Sequence, residues 1–212
     1  MTGNGTKIRI PETGDPAARA ARILSDVFAP AVSVFLICVL CGVTGHPHTW
    51  VGLGWGILIG SFCAVIPTAT IHVAVRREQL TDRHVTRRDQ RWRVFLVCVA
   101  SVLGGMATAV LLDAPPTLLW ILPTMVAGLV LAGGVTLLGP KVSMHAFCFT
   151  SLVVLAAMLL SPWWLLALPT LLPVVAFARL KLKHHTRLEL TLGSGLAAAV
   201  MLGASAYMPT AG

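Results

Sequence analysis

Seven apolar runs, separated by short polar or turn-forming breaks, leave this sequence few folds. A helix needs roughly 20 largely apolar residues to cross a bilayer core, and only helices and closed barrels satisfy their own backbone there. Runs at 23–44, 51–75, 94–112, 117–138, 145–160, 163–178 and 189–207 have that character. Helix-ending residues punctuate them at Gly45-His46-Pro47-His48, Asp113-Ala114-Pro115-Pro116, Gly139-Pro140 and Ser161-Pro162. With 56% hydrophobic and 11% charged residues, no stretch remains for a separate soluble domain. The expected fold is all-α, a polytopic transmembrane bundle of six to seven spans over residues 23–207. A polar tail at 1–22 precedes it and a short tail at 208–212 follows. The first residues lack the cationic start and short apolar core of a secretory signal, so a tail is expected there.

The charges agree with this reading. All 16 Lys and Arg residues fall in the N-terminal stretch, between runs two and three, between runs four and five, or between runs six and seven. The opposite side receives none. By the positive-inside rule, the N-terminus and these three loops face the cytoplasm. The net charge of +8 is thus topological, and no nucleic-acid partner is expected. Cys38, Cys41, Cys63, Cys98 and Cys148 all lie within runs, where thiols behave as small apolar groups. Cys38 and Cys41 form a C-x-x-C without a second ligand pair, so packing is the preferred reading. His46 and His48 make a poor metal site, two ligands in one short turn. His72 reads as a hydrogen-bonded packing residue.

Two breaks carry more than topology requires. Lys141-Val142-Ser143-Met144-His145 and Ala178-Arg179-Leu180-Lys181-Leu182-Lys183-His184-His185-Thr186-Arg187-Leu188-Glu189 hold histidines among cations on the same predicted side. Arg179, five residues, His185, three residues and Glu189 resemble the third signature of the type 2 phosphatidic acid phosphatase superfamily. Val142 to His145 resembles the second, usually Pro-Ser-Gly-His, with Val142 and Met144 replacing proline and glycine. His84, six residues and then Arg91-Trp92 keep the spacing of the first, with His84 or Arg83 in place of its lysine. The resemblance covers residues 83–190 and is to a divergent bacterial-type member of that superfamily.

The resemblance implies a membrane-embedded phosphatase, in a bacterial cell membrane, acting on a lipid or isoprenoid phosphate or diphosphate through a phosphohistidine. It assigns attack on phosphorus to His185, orientation of its ring to Glu189 and protonation of the leaving oxygen to His145. Arg179, Arg91, Ser143, Lys141, His84 and Arg83 are the implied phosphate ligands, with no metal and no cofactor. The chemistry suits these residue types: arginine forks match phosphate oxygens, and a neutral imidazole attacks when its other nitrogen is held as a donor. Six residues at 100° per residue would put Arg179 and His185 on different helix faces, so a break is expected between them.

Each group also has a plainer reading. Thr186-Arg187-Leu188-Glu189 is a capping box, and this role for Glu189 weighs evenly with ring orientation. Lys141 could be topogenic, His145 interfacial, and Lys181, Lys183 and Arg187 headgroup contacts. His184 is the alternative to His185. Two rival functions use the same residues. A prenyl-diphosphate lyase or terpene synthase would ionise its substrate and steer the cation with aromatic residues, for which Trp92, Trp120, Trp163 and Trp164 are candidates. A non-catalytic lipid-binding scaffold would need no turnover. Expected partners are the lipid phosphate and membrane lipids, with the oligomer left open.

Overall fold

The computed structural model describes residues 15–78 and 88–209, with side chains in the second stretch from Trp92 onward. Among these residues every regular element is a helix. Six helical stretches are long and apolar enough to cross a membrane, from Pro16–Thr44 to Arg187–Ser205. A seventh, Met144–Leu159, is shorter. The chain is an integral membrane protein with an all-α polytopic bundle.

The first stretch is two helices, α1 (Pro16–Val27) and α2 (Pro30–Thr44). The helix begins well before the apolar run at Ile23 because Asp15 accepts from the Ala17 amide at 2.9 Å and Pro16 takes the first helical position. It breaks before Pro30, which disfavours helical backbone at Ala29; that residue is extended (φ −60°, ψ 145°). Along α1, Ala18, Ala21 and Ser25 are buried at a helical spacing, whereas Ile23 and Val27 are exposed. This narrow stripe of small residues lets α1 lie against α8.

The second stretch runs through α3 (Thr49–Gly60), a π turn at Ser61–Val65 and α4 (Ile66–Arg76). Pro67 explains the turn. It has no amide to donate to Cys63, and the ladder widens so that the Ile66 amide reaches Ser61 O. Then follow α5 (Arg88–Leu111), α6 (Pro116–Leu138), α7 (Met144–Leu159), a short 3-10 turn at Pro162–Leu166, α8 (Ala167–Lys181) and α9 (Arg187–Ser205). Pro169 falls in the first turn of α8, where its missing amide is harmless, and Pro173 lies inside the helix.

Helix α7 is the centre of the bundle. His145 to Ser151 are all buried, as are Val153 to Ala156, and the helix packs against α2, α8 and α9. Its 16 residues span about 24 Å, less than the bilayer core. A helix enclosed by other helices need not match lipid thickness.

Candidate functional site

Helix α8 ends one turn before the His185 pair, and its ending provides the expected break. Lys183 takes the left-handed conformation (φ 54°), its amide donates to Leu180 O at 2.9 Å, and the His184 amide donates to Arg179 O at 3.1 Å. This is a Schellman closure with lysine where glycine is commoner. It reverses the chain between Arg179 and His185 and starts α9 after Thr186. Lys141 Nζ reaches across to donate to His184 O at 2.9 Å, so the loop before α7 supports the turn.

Glu189 makes the capping contacts and the ring contact at once. Its Oε2 accepts from the Thr186 amide at 3.1 Å while the Glu189 amide donates to Thr186 Oγ1 at 3.3 Å, closing the capping box. The same Oε2 lies 2.9 Å from His185 Nδ1. Burial, followed by the nearby charges of Lys141, Arg179, His145 and His184, pushes the His185 pKa down to about 2. The ring is therefore neutral. A carboxylate only accepts, so the proton sits on Nδ1 and the lone pair on Nε2.

The α7 end is joined to this pair through the backbone. The Ser143 amide donates to Glu189 O at 3.1 Å, and the Val142 amide donates to Thr136 Oγ1 at 3.1 Å. Gly193 makes the approach possible, since a Cβ there would lie 2.6 Å from Ser143 O. Ser143 stands at the N-cap position of α7 but makes no side-chain cap bond; its hydroxyl is buried, without a partner among the described residues. His145 is buried at 6% exposure, with Nε2 3.2 Å from Ser25 O and 3.3 Å from Ser25 Oγ. Arg179, 2% exposed, donates from Nη1 to Ser25 Oγ at 2.6 Å, and its Nε has no partner among the described residues.

Lys141, His145, Arg179 and His185 all line a cavity of about 360 Å³. Most of the remaining wall is apolar, including Val34, Ile37, Val102, Ile121, Met125 and Met201, although Asp26, Thr68, Thr124 and Ser151 line it as well. The volume lies within the range typical of ligand sites. Met144, which stands where the resembled signature has glycine, also lines it. Ser143 is not among the lining residues, so its hydroxyl faces packing and not the cavity. His72 does line the wall and also bonds Thr68 O at 2.8 Å.

The first signature is only partly placed. Arg83 and His84 lie outside the described residues. Arg91 belongs to α5, one turn before Val94 and Phe95, which line the cavity. None of Trp92, Trp120, Trp163 and Trp164 lines it; Trp120 Nε1 instead donates to Ala204 O at 2.9 Å, and Trp163 is 78% exposed. Ser25 is the participant that sequence reasoning missed. Its available signals are the Asp15-Pro16 helix start, the small-residue stripe and Pro30. Together these place a buried helix end there, though not beside Arg179.

Compared with family models, with curated proteins and with solved structures, the chain shows no match.

Proposed function

We propose that this chain is a phosphatase that hydrolyses a lipid or isoprenoid phosphate or diphosphate within the membrane. The observation that carries the reading is the neutral His185, held by Glu189 beside buried Arg179, in a largely apolar cavity. Such a cavity suits an amphiphile with an anionic head and an apolar tail. His185 Nε2 would attack phosphorus, the bond from phosphorus to the leaving oxygen would break, and His145 would supply that oxygen's proton. Water would then cleave the phosphohistidine, restoring the imidazole and releasing phosphate. Arg179 and Lys141 balance the anionic oxygens during both transfers. The distribution of Lys and Arg supports a site on the cytoplasmic face, and a bacterial cell membrane is part of the same proposal.

The test is incubation of the purified protein in detergent with farnesyl diphosphate, geranylgeranyl diphosphate and phosphatidic acid. Phosphate, diphosphate and organic products are followed together. Release of phosphate, reduced about 10⁴-fold or more in His185→Ala, is the expected outcome. Diphosphate with a new hydrocarbon would overturn hydrolysis in favour of a lyase. No turnover on any of the three would favour a lipid-binding scaffold.

A further inference from the structure

The last turn of α1 leaves one carbonyl without its usual helical donor. In a continuing helix the Ala29 amide would reach Ser25 O, but it donates to Asp26 O at 3.2 Å, because Pro30 holds Ala29 extended. His145 Nε2 meets the released Ser25 carbonyl at 3.2 Å. On the same residue, Oγ accepts from Arg179 Nη1 at 2.6 Å. A single serine, 2% exposed, thus holds a histidine 120 residues away and an arginine 154 residues away.

The chemistry of these contacts is directional. A carbonyl oxygen only accepts, so the bond to Ser25 O places a proton on His145 Nε2. That bond holds the Nε2 proton, so a proton passed to the leaving oxygen would come from Nδ1 of the doubly protonated ring. The hydroxyl fixes one prong of the Arg179 fork while Arg179 faces the cavity. Other contacts seat α1 independently of Ser25: Asp15 pairs with Lys181 at 2.9 Å, and Ala18 and Ala21 are buried. A change at Ser25 therefore need not release the helix.

We propose that Ser25 is a positioning residue of the phosphate site, its hydroxyl aligning Arg179 and its carbonyl setting the protonated nitrogen of His145. This rests on the phosphate-site reading above. It makes α1 part of the site, although α1 contains none of the three signatures. The hydroxyl acts on anion binding through a charged donor, and the carbonyl acts on the tautomer.

The experiment uses the full chain in detergent, with inorganic phosphate as the probe in calorimetric titration. Ser25→Ala is expected to weaken phosphate binding about 10-fold or more, the effect of losing a hydrogen bond to a charged group. Ser25→Thr, which keeps the hydroxyl, is expected to restore affinity to within about 3-fold. Side-chain ¹⁵N resonances of His145 give a second readout that needs neither variant: the proton is expected on Nε2 in the wild type. Ser25→Ala with unchanged phosphate affinity and only a lower thermal midpoint would make Ser25 a packing residue and overturn the proposal. A His145 Nε2 without a proton would overturn its carbonyl half. If the wild type hydrolyses none of the lipids yet phosphate binding depends on Ser25, the phosphatase reading falls and this one stands. If hydrolysis occurs and Ser25→Ala matches the wild type in affinity and turnover, this one falls alone. Wild-type protein that neither binds phosphate nor hydrolyses would remove both.

Discussion

Two helix contacts in this bundle solve the same packing problem in opposite ways. Where α2 meets α3, small residues bring the backbones together. A Cβ on Gly42 would collide with Gly52 O, and one on Gly56 would lie 2.5 Å from Val39 Cα. Between helices in lipid, attraction comes from such close packing because burial from water is not available as a driving force. Where α1, α7 and α8 meet, the buried atoms are instead His145, Ser25 and Arg179. Burying a guanidinium is costly, and Arg179 Nε, without a hydrogen-bond partner among the described residues, adds a cost that packing would not require. The first contact is built to hold. The second gives up stability to keep polar groups in a defined arrangement, as a binding or catalytic site does.

The largest effect that sharpens this contrast is expected from Glu189→Gln. Glutamine also serves at the third position of a capping box, so the helix start survives while the negative charge beside His185 is lost. Turnover should fall about 10²- to 10⁴-fold, the range of general acid–base contributions, with unfolding free energy changed by about 0.5 kcal/mol or less. Paired assays of turnover and thermal unfolding would show it. A large loss of stability with turnover per folded molecule intact would reduce Glu189 to a cap. Next in size is Gly56→Val at the α2–α3 contact. Forced separation of the backbones should cost about 1–3 kcal/mol in thermal unfolding and leave turnover per folded molecule unchanged. A matching fall in turnover would break the distinction between the two contacts.

The sequence disclosed these regions unequally. Span positions were legible because lipid demands long apolar runs and because Gly, Pro and Asp mark their ends. The break between Arg179 and His185 followed from helix geometry once the resemblance required the two to converge, and the positive φ at Lys183 is its physical form. The Glu189 contact was read from i, i+4 spacing along one helix; in the structure His185 precedes the Thr186 cap, and Glu189 reaches back to it from the first turn of α9. Ser25 was not readable: its partners come from α7 and α8, and no local pattern records that crossing. The π turn at Ser61–Val65 had a local cause in Pro67, but a proline in an apolar run equally suggests a kink. The plain span reading of 145–160 did not disclose that α7 would be enclosed, because its apolar residues look the same facing lipid or protein. Nor did composition separate cavity-lining tryptophans from packed ones, which depends on rotation about each helix axis.

The smallest expected effect concerns protons. His185 is held to a folded-state pKa of about 2, against roughly 6.5 for an ordinary histidine. Above pH 6.5 the ring is neutral in folded and unfolded chains alike and contributes no pH dependence. Below it, the unfolded chain takes up a proton that the folded site refuses, so stability falls as pH falls, by up to about 1.4 kcal/mol per unit. Thermal unfolding between pH 7 and pH 5 should therefore slope in the wild type, and the slope should lessen in His185→Asn. Gly56→Val should keep the wild-type slope, because its defect lies at a contact without a titrating imidazole. An equal slope in the wild type and His185→Asn would mean that His185 accepts the proton when folded and forms an imidazolium–carboxylate pair with Glu189. The site would then be an ion pair and not a held nucleophile, and the polar contact would differ from the apolar one in charge alone.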